Sequence, residues 1–319
     1  MKTRLTERFG LTAPLALAPM DQVSNAVLVN AVARAGGLAL LGGGYGDATW
    51  LRSEQAAVDP AVAARVGVGF ITWSLARAPH LLDLALESSP AAVFLSFGDP
   101  APFAEQVKSS GAALVCQVGN LEHASRALDV GADVVVAQGT EGGGHGLGTR
   151  STFTLVPEIA DLIVSRNHPA LLLAAGGVAD GRGLAAALAL GADGAVIGTR
   201  FWAAREAAAS LAAQTTVIGR DGDQTLRQRL YDVVREKDWP HEYSGRVLRN
   251  DFVQRWEGKA DKGDVDALRD QFHAAVRTGD FDVANVIAGE SIGLIRSIQS
   301  AASLIDTISS DAAHILGRA

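Results

Sequence analysis

The sequence predicts an α/β chain folded as a (β/α)8 barrel, with a mostly helical excursion towards its C-terminus. Three observations predict it. Eight short apolar runs recur along the first two-thirds, helical patterns separate them, and the later runs end in Gly-rich turns. Strands alternating with helices imply parallel pairing through right-handed crossovers. Eight such units in a row suit a closed barrel better than an open sheet. An open doubly wound sheet is the alternative, but its G-x-G-x-x-G turn after the first strand is absent at Met20.

The strands are expected at 15–20, 38–41, 66–71, 92–97, 113–118, 133–138, 171–175 and 194–197. Each is short, apolar and bounded by Gly, Pro or polar residues, as parallel strands covered on both faces are. Segments 26–35, 81–87, 124–130 and 184–190 carry apolar residues at three- and four-residue spacing and read as helices. Several helices run into Gly-Ala or Gly-Gly, as at Gly131-Ala132 and Gly191-Ala192, where glycine takes a left-handed cap. This recurrence is an internal echo of one βα unit. The region 215–290 is richer in charge, holds Trp239, Tyr243 and Trp256, and lacks the strand–helix rhythm. It is expected as a helical excursion beside the barrel mouth. Residues 1–214 would then form the barrel, and 291–319 a helix packing back on it.

Composition narrows the function classes. The chain has 319 residues, 48% hydrophobic and 20% charged, with a formal net charge of −7 and no basic run, which argues against nucleic acid. It has no apolar run of transmembrane length and no apolar signal core behind Met1, so a cytoplasmic location is expected. The single cysteine, Cys116, excludes an internal disulfide. Flanked by Leu114, Val115 and Val118, it reads as a small core residue. A homodimer is compatible with the sequence and specified by no pattern in it.

The most informative stretch is Glu141-Gly142-Gly143-Gly144-His145-Gly146, directly after the apolar run 133–138. Glycines at a strand end let backbone approach a ligand closely, and a histidine there can serve as acid, base or hydrogen-bond donor. Gly176-Gly177 and Gly198-Thr199 follow at the ends of the last two strands. Barrels often hold a phosphate at those positions, on backbone N–H groups. Asp180 is expected to cap the next helix, and Asn120 likewise. Gln117 and Gln138 end the fifth and sixth strands. They either meet a ligand with donors and acceptors, such as a flavin edge, or simply cap the barrel. Glu141 is either a second acid or base or a residue that orients His145. Tyr45, Trp73 and Phe97 either wall an apolar pocket or pack. His123 and His168 lie too far from His145 in the predicted layout for a metal site, so none is expected.

These residues resemble the nitronate monooxygenases, formerly 2-nitropropane dioxygenases. The resemblance rests on Ala18-Pro19-Met20, Ala35-Gly36-Gly37-Leu38, the run from Gln138 to Gly146, the run from Ala175 to Arg182, and Gly198-Thr199-Arg200-Phe201. Beyond the barrel, Trp239-Pro240, the run from Gly245 to Asn250 and Gly293-Leu294-Ile295 extend it, so it covers about 15–298. It implies an FMN-dependent barrel that oxidises alkyl nitronates or nitroalkanes with O2. FMN phosphate would sit at Gly176, Gly177, Gly198 and Thr199. Pro19, Met20, Gln117, Gln138, Gly143 and Gly144 would approach the cofactor, and His145 would be the active-site histidine. The chain departs from the family pattern at Gly69, where many members carry Asn, and at Gly142, where Ala is usual. An FMN-dependent enoyl-ACP reductase using a nicotinamide cofactor shares the Gly-Gly-His turn and is the nearest rival. A non-catalytic flavin or phosphate binder is the rival from another class. An IMP dehydrogenase-like barrel fits poorly, because Cys116 lies inside a strand.

Overall fold

The structure, a computed structural model, describes residues 1–259 and 263–317. Eight strands form the parallel sheet: β1 (Leu15–Leu17), β2 (Ala39–Gly44), β3 (Val66–Ile71), β4 (Ala92–Ser96), β5 (Ala113–Val118), β6 (Val134–Gln138), β8 (Leu171–Ala175) and β9 (Gly194–Ile197). Their order is β1-β9-β8-β6-β5-β4-β3-β2. A parallel bridge between Ala16 and Leu38 brings β2 back to β1 and closes the barrel. Each strand overlaps an expected run.

Alternate residues face opposite sides of a strand. Val134 and Val136 join Phe94, Val115, Leu173 and Val196 inside the barrel. Val135 and Ala137 join the layer between strands and helices. The helix Arg4–Phe9 plugs the barrel floor with Leu5, while the Arg4 guanidinium donates to the carbonyls of Pro169 and Ala170. Cys116 is buried in the outer layer, and burial pushes its thiol up to about 12, so it is no nucleophile at neutral pH. Asn120 and Asp180 cap the helices Leu121–Asp129 and Gly181–Ala189 as expected. The C-terminal helix Ala301–Ile315 packs on Gly181–Ala189 and Ala26–Arg34. Gly181 permits this approach, since a Cβ there would lie 2.3 Å from Asp311 Cβ.

The region 215–290 contains helices, among them Leu230–Val234 and Val265–Thr278. It also contains two strands that the sequence reading did not anticipate, β10 (Thr225–Gln228) and β11 (Ser244–Leu248). They form an antiparallel sheet with β7 (Gly144–Gly146), in the order β10-β11-β7. The glycine-rich turn that carries His145 is therefore itself a strand, with His145 opposite Gly245. Arg227 and Arg246 rivet the sheet to the barrel by donating to the Thr140 carbonyl.

Candidate active site

One cavity of about 430 Å3 opens at the C-terminal ends of the barrel strands. This is within the size range of small-molecule sites. Every residue singled out from the sequence as catalytic or cofactor-binding lines it. Pro19 and Met20 come from the loop after β1, Gln117 and Gln138 from the ends of β5 and β6, and Gly143, Gly144 and His145 from the turn after β6. Gly176 and Gly177 follow β8, and Gly198 and Thr199 follow β9. Tyr45 and Phe97 line the cavity too; Trp73 stands behind them, edge-on to Tyr45 and Trp239.

The glycines differ in what they accommodate. At Gly143 a Cβ would come within 2.6 Å of the Gly289 backbone nitrogen, so this glycine lets the segment before Glu290 close over the turn. The Gly289 N–H also donates to the Thr199 hydroxyl, at 3.0 Å. At Gly177, with φ +77°, the nearest heavy atom to a Cβ would be 3.7 Å away, and at Gly198 it would be 3.6 Å away. Those two backbones are open to the cavity. Gly69 is tightly enclosed, since a Cβ there would lie 2.3 Å from Pro19 Cβ. A larger side chain at that position requires Pro19 to move.

Gln117 donates to Gln138 Oε1 at 3.0 Å, and Gln138 Nε2 donates to the His145 carbonyl at 2.9 Å. The two amides thus hold the backbone of the histidine turn. Gln117 Oε1 accepts no hydrogen bond among the described residues. Glu141 makes no hydrogen bond to His145 among the described residues. Its carboxylate faces the Ser151 hydroxyl at 2.8 Å, the Thr152 hydroxyl at 2.8 Å and the Thr152 N–H at 3.1 Å. Burial alone would raise its pKa, but those donors and its own backbone N–H outweigh burial and hold it below the usual range. It ties the turn to the start of the helix Thr152–Ser165.

His145 has a partner that the sequence reading missed. Its Nε2 lies 2.9 Å from Asp232 Oδ1 on the excursion helix Leu230–Val234. Both side chains are nearly buried. Asp232 Oδ2 is buried without any partner, so among the described residues His145 carries all of this side chain's hydrogen bonding. With Asp232 accepting from Nε2–H, the proton-free nitrogen is Nδ1, which makes no hydrogen bond among the described residues. Trp239 stacks flat on the imidazole, ring centroids 3.5 Å apart and planes 5° from parallel. Trp239 is held in turn by its Nε1–H, which donates to the Tyr45 hydroxyl at 2.8 Å. Burial lowers the His145 pKa, and the hydrogen bond and charge of Asp232 offset part of that. No local pattern marks Asp232; it lies 87 residues from His145 and nothing around it distinguishes it from a solvated helix carboxylate.

Among the described residues no helix is long and apolar enough to cross a membrane, and no group of three or more His, Cys, Asp or Glu side chains could hold a metal ion.

Comparison with known proteins identifies relatives of the whole chain. A protein named nitronate monooxygenase from Neurospora crassa is 30% identical, over 92% of this chain and 88% of its own. A Rhodococcus jostii protein is 32% identical, over 88% of this chain and 75% of its own. It is named (3aS,4S,5R,7aS)-5-hydroxy-7a-methyl-1-oxo-octahydro-1H-indene-4-carboxyl-CoA dehydrogenase. Among solved structures, FabK from Thermotoga maritima superposes with a TM-score of 0.85 at 27% identity, covering 100% of this chain and 98% of that one. The family model described as nitronate monooxygenase matches residues 75–311, a span that takes in both His145 and Asp232. The chain belongs to the nitronate monooxygenase family, whose members are flavin-dependent oxidoreductases.

Proposed function

We propose that this protein binds FMN in the barrel mouth and uses O2 to oxidise alkyl nitronates to a carbonyl compound and nitrite. The observation that carries the reading is the isolated pair that His145, on the cavity wall, forms with Asp232. A buried carboxylate with no other partner fixes the tautomer of a histidine and stabilises its protonated form, as an acid–base pair requires.

The cavity suits the cofactor. The backbones of Gly177 and Gly198 are open where a phosphate would be cradled, and Thr199 adds a hydroxyl. The unfilled amide capacity of Gln117 suits a flavin edge. When bound, FMN supplies the redox chemistry between substrate and O2.

The chain supplies binding, orientation and proton handling. On a neutral nitroalkane, His145 Nδ1 takes the proton from the carbon beside the nitro group. A nitronate has already lost that proton, so the histidine has none to take, and its Nδ1 donates to the anion only when the ring is doubly protonated. Asp232 holds the ring from one side and Trp239 holds its face. The cover from Leu230 to Tyr243 shields these groups from water, which strengthens each charge interaction.

The pH dependence follows. Neutral His145 is the active base, and its pKa lies below the ordinary histidine value of about 6.5. Nitroalkane turnover should therefore fall as pH drops through that lowered value and be level above it. Asp232→Asn removes the two influences that raise the pKa. Its acid limb should move to lower pH, and its plateau rate should fall roughly tenfold or more. A pH–rate profile of kcat/KM checks both; an unchanged limb would remove Asp232 from the mechanism.

The reading is tested by the visible spectrum of the purified protein and by anaerobic mixing with propyl-1-nitronate and, separately, with NADH and NADPH. Bleaching by nitronate alone supports it. Bleaching by a reduced nicotinamide with no response to nitronate moves the protein to a reductase. A colourless protein that cannot be reconstituted with FMN removes both. The Rhodococcus relative favours one second reading, dehydrogenation of an acyl-CoA, in which His145 would again serve as a base.

A further inference from the structure

Four arginines lie in the segment 225–248, and three are consumed by the fold. Arg227 donates to the carbonyls of Thr140 and Ser244. Arg229 donates to those of Trp239, His241 and Tyr243, fixing the loop that carries Trp239. Arg246 donates to the Thr140 carbonyl and the Thr225 hydroxyl and pairs with Glu290. Arg235 differs. It lines the cavity, and its side chain makes no hydrogen bond or ion pair among the described residues. Its guanidinium carbon lies 5.9 Å from the centre of the Tyr45 ring, which Lys237 also approaches, at 4.3 Å.

A half-buried guanidinium with five unused donors is a ready receptor for a planar anion with two oxygens. The mouth has another charged group that bears on this. Asp21 lines the same cavity, and burial raises its pKa, with Arg235 and Lys237 drawing it back down. It forms no ion pair with Arg235 among the described residues, so it does not occupy the fork. Asp232 is engaged with His145. On a chain of net charge −7, Arg235 and Lys237 give the cavity mouth local positive charge that an anion would otherwise not meet.

We propose that Arg235 is the receptor for the anionic group of the substrate, making this protein selective for small organic anions over neutral molecules of the same shape. This rests on the reading of the cavity as the substrate site, and Arg235 is on this account a specificity determinant rather than an acid or base. Butyrate is a suitable probe. It is a planar two-oxygen anion like a nitronate, but it does not react with a flavin; butyramide is its neutral counterpart.

Calorimetric titration of the holoenzyme should give butyrate binding that Arg235→Ala weakens about tenfold or more, since charge-assisted hydrogen bonds are lost. Arg235→Lys should recover part of it, and butyramide binding should be equal in all three proteins. No butyrate binding by the wild type, an unchanged Kd in Arg235→Ala, or equal losses for butyrate and butyramide would each overturn the assignment. Its fate is separable from that of the nitronate reading. Arg235-dependent butyrate binding by a protein that oxidises no nitronate keeps the anion site and removes that activity. Nitronate oxidation with KM and butyrate Kd unchanged in Arg235→Ala does the reverse.

Discussion

Replacing His145 with alanine should lower turnover of neutral nitroalkanes by about 100-fold or more while leaving flavin in place, because an acid–base group contributes on that scale. Flavin retention is expected because the contact that shapes the turn is to the His145 carbonyl, which alanine preserves. Turnover of preformed nitronates should fall less, since no proton is removed from them. Alanine also strands Asp232, whose second oxygen already lacks a partner, so stability should drop by roughly 1–3 kcal/mol. Steady-state rates on both substrate forms, with flavin content by absorbance, separate these effects. Full activity on nitroalkanes would exclude His145 as the base.

Replacing Gly177 with valine should abolish flavin retention. Two causes act together. The backbone is at φ +77°, a conformation that a β-branched residue adopts only under strain. The side chain would also project into open cavity where the phosphate is expected, 3.7 Å from the nearest atom of Glu141. Gly111→Val separates the causes. Gly111 has φ +84° and nothing within 4 Å of an added Cβ, far from the cavity. That variant should carry the strain and keep its flavin. A Gly177→Val protein that purifies with normal flavin occupancy would refute the phosphate position.

The barrel was legible because each strand is a short apolar run with covered faces, and the helices between them repeat at the right spacing. The cavity lining was legible for a related reason: glycines cluster where strands end at the barrel's open face. The excursion was less legible. β10 reads Thr-Leu-Arg-Gln and β7 reads Gly-His-Gly, and neither has strand composition; pairing with β11 makes them strands. Asp232 was invisible because its significance lies in a contact across 87 residues, which no local spacing encodes. Glu141 was ambiguous for the opposite reason. Its position beside His145 suggested chemistry, yet its donors come from Ser151 and Thr152 and make it a tether.

The shared strand β7 has a consequence for how the protein fails and how it changes. His145 sits on one edge of a small sheet whose other strands, together with Asp232 and Arg235, come from the single segment between Thr225 and Leu248. Local opening of that segment would separate His145 from Asp232 while the barrel is still folded, so activity should be lost at a lower temperature than global structure. By the same logic, exchanging this one segment between homologous barrels should, on the proposed reading, carry over Asp232, the partner of His145, and Arg235 as a unit, with Gly177, Gly198 and Thr199 left untouched.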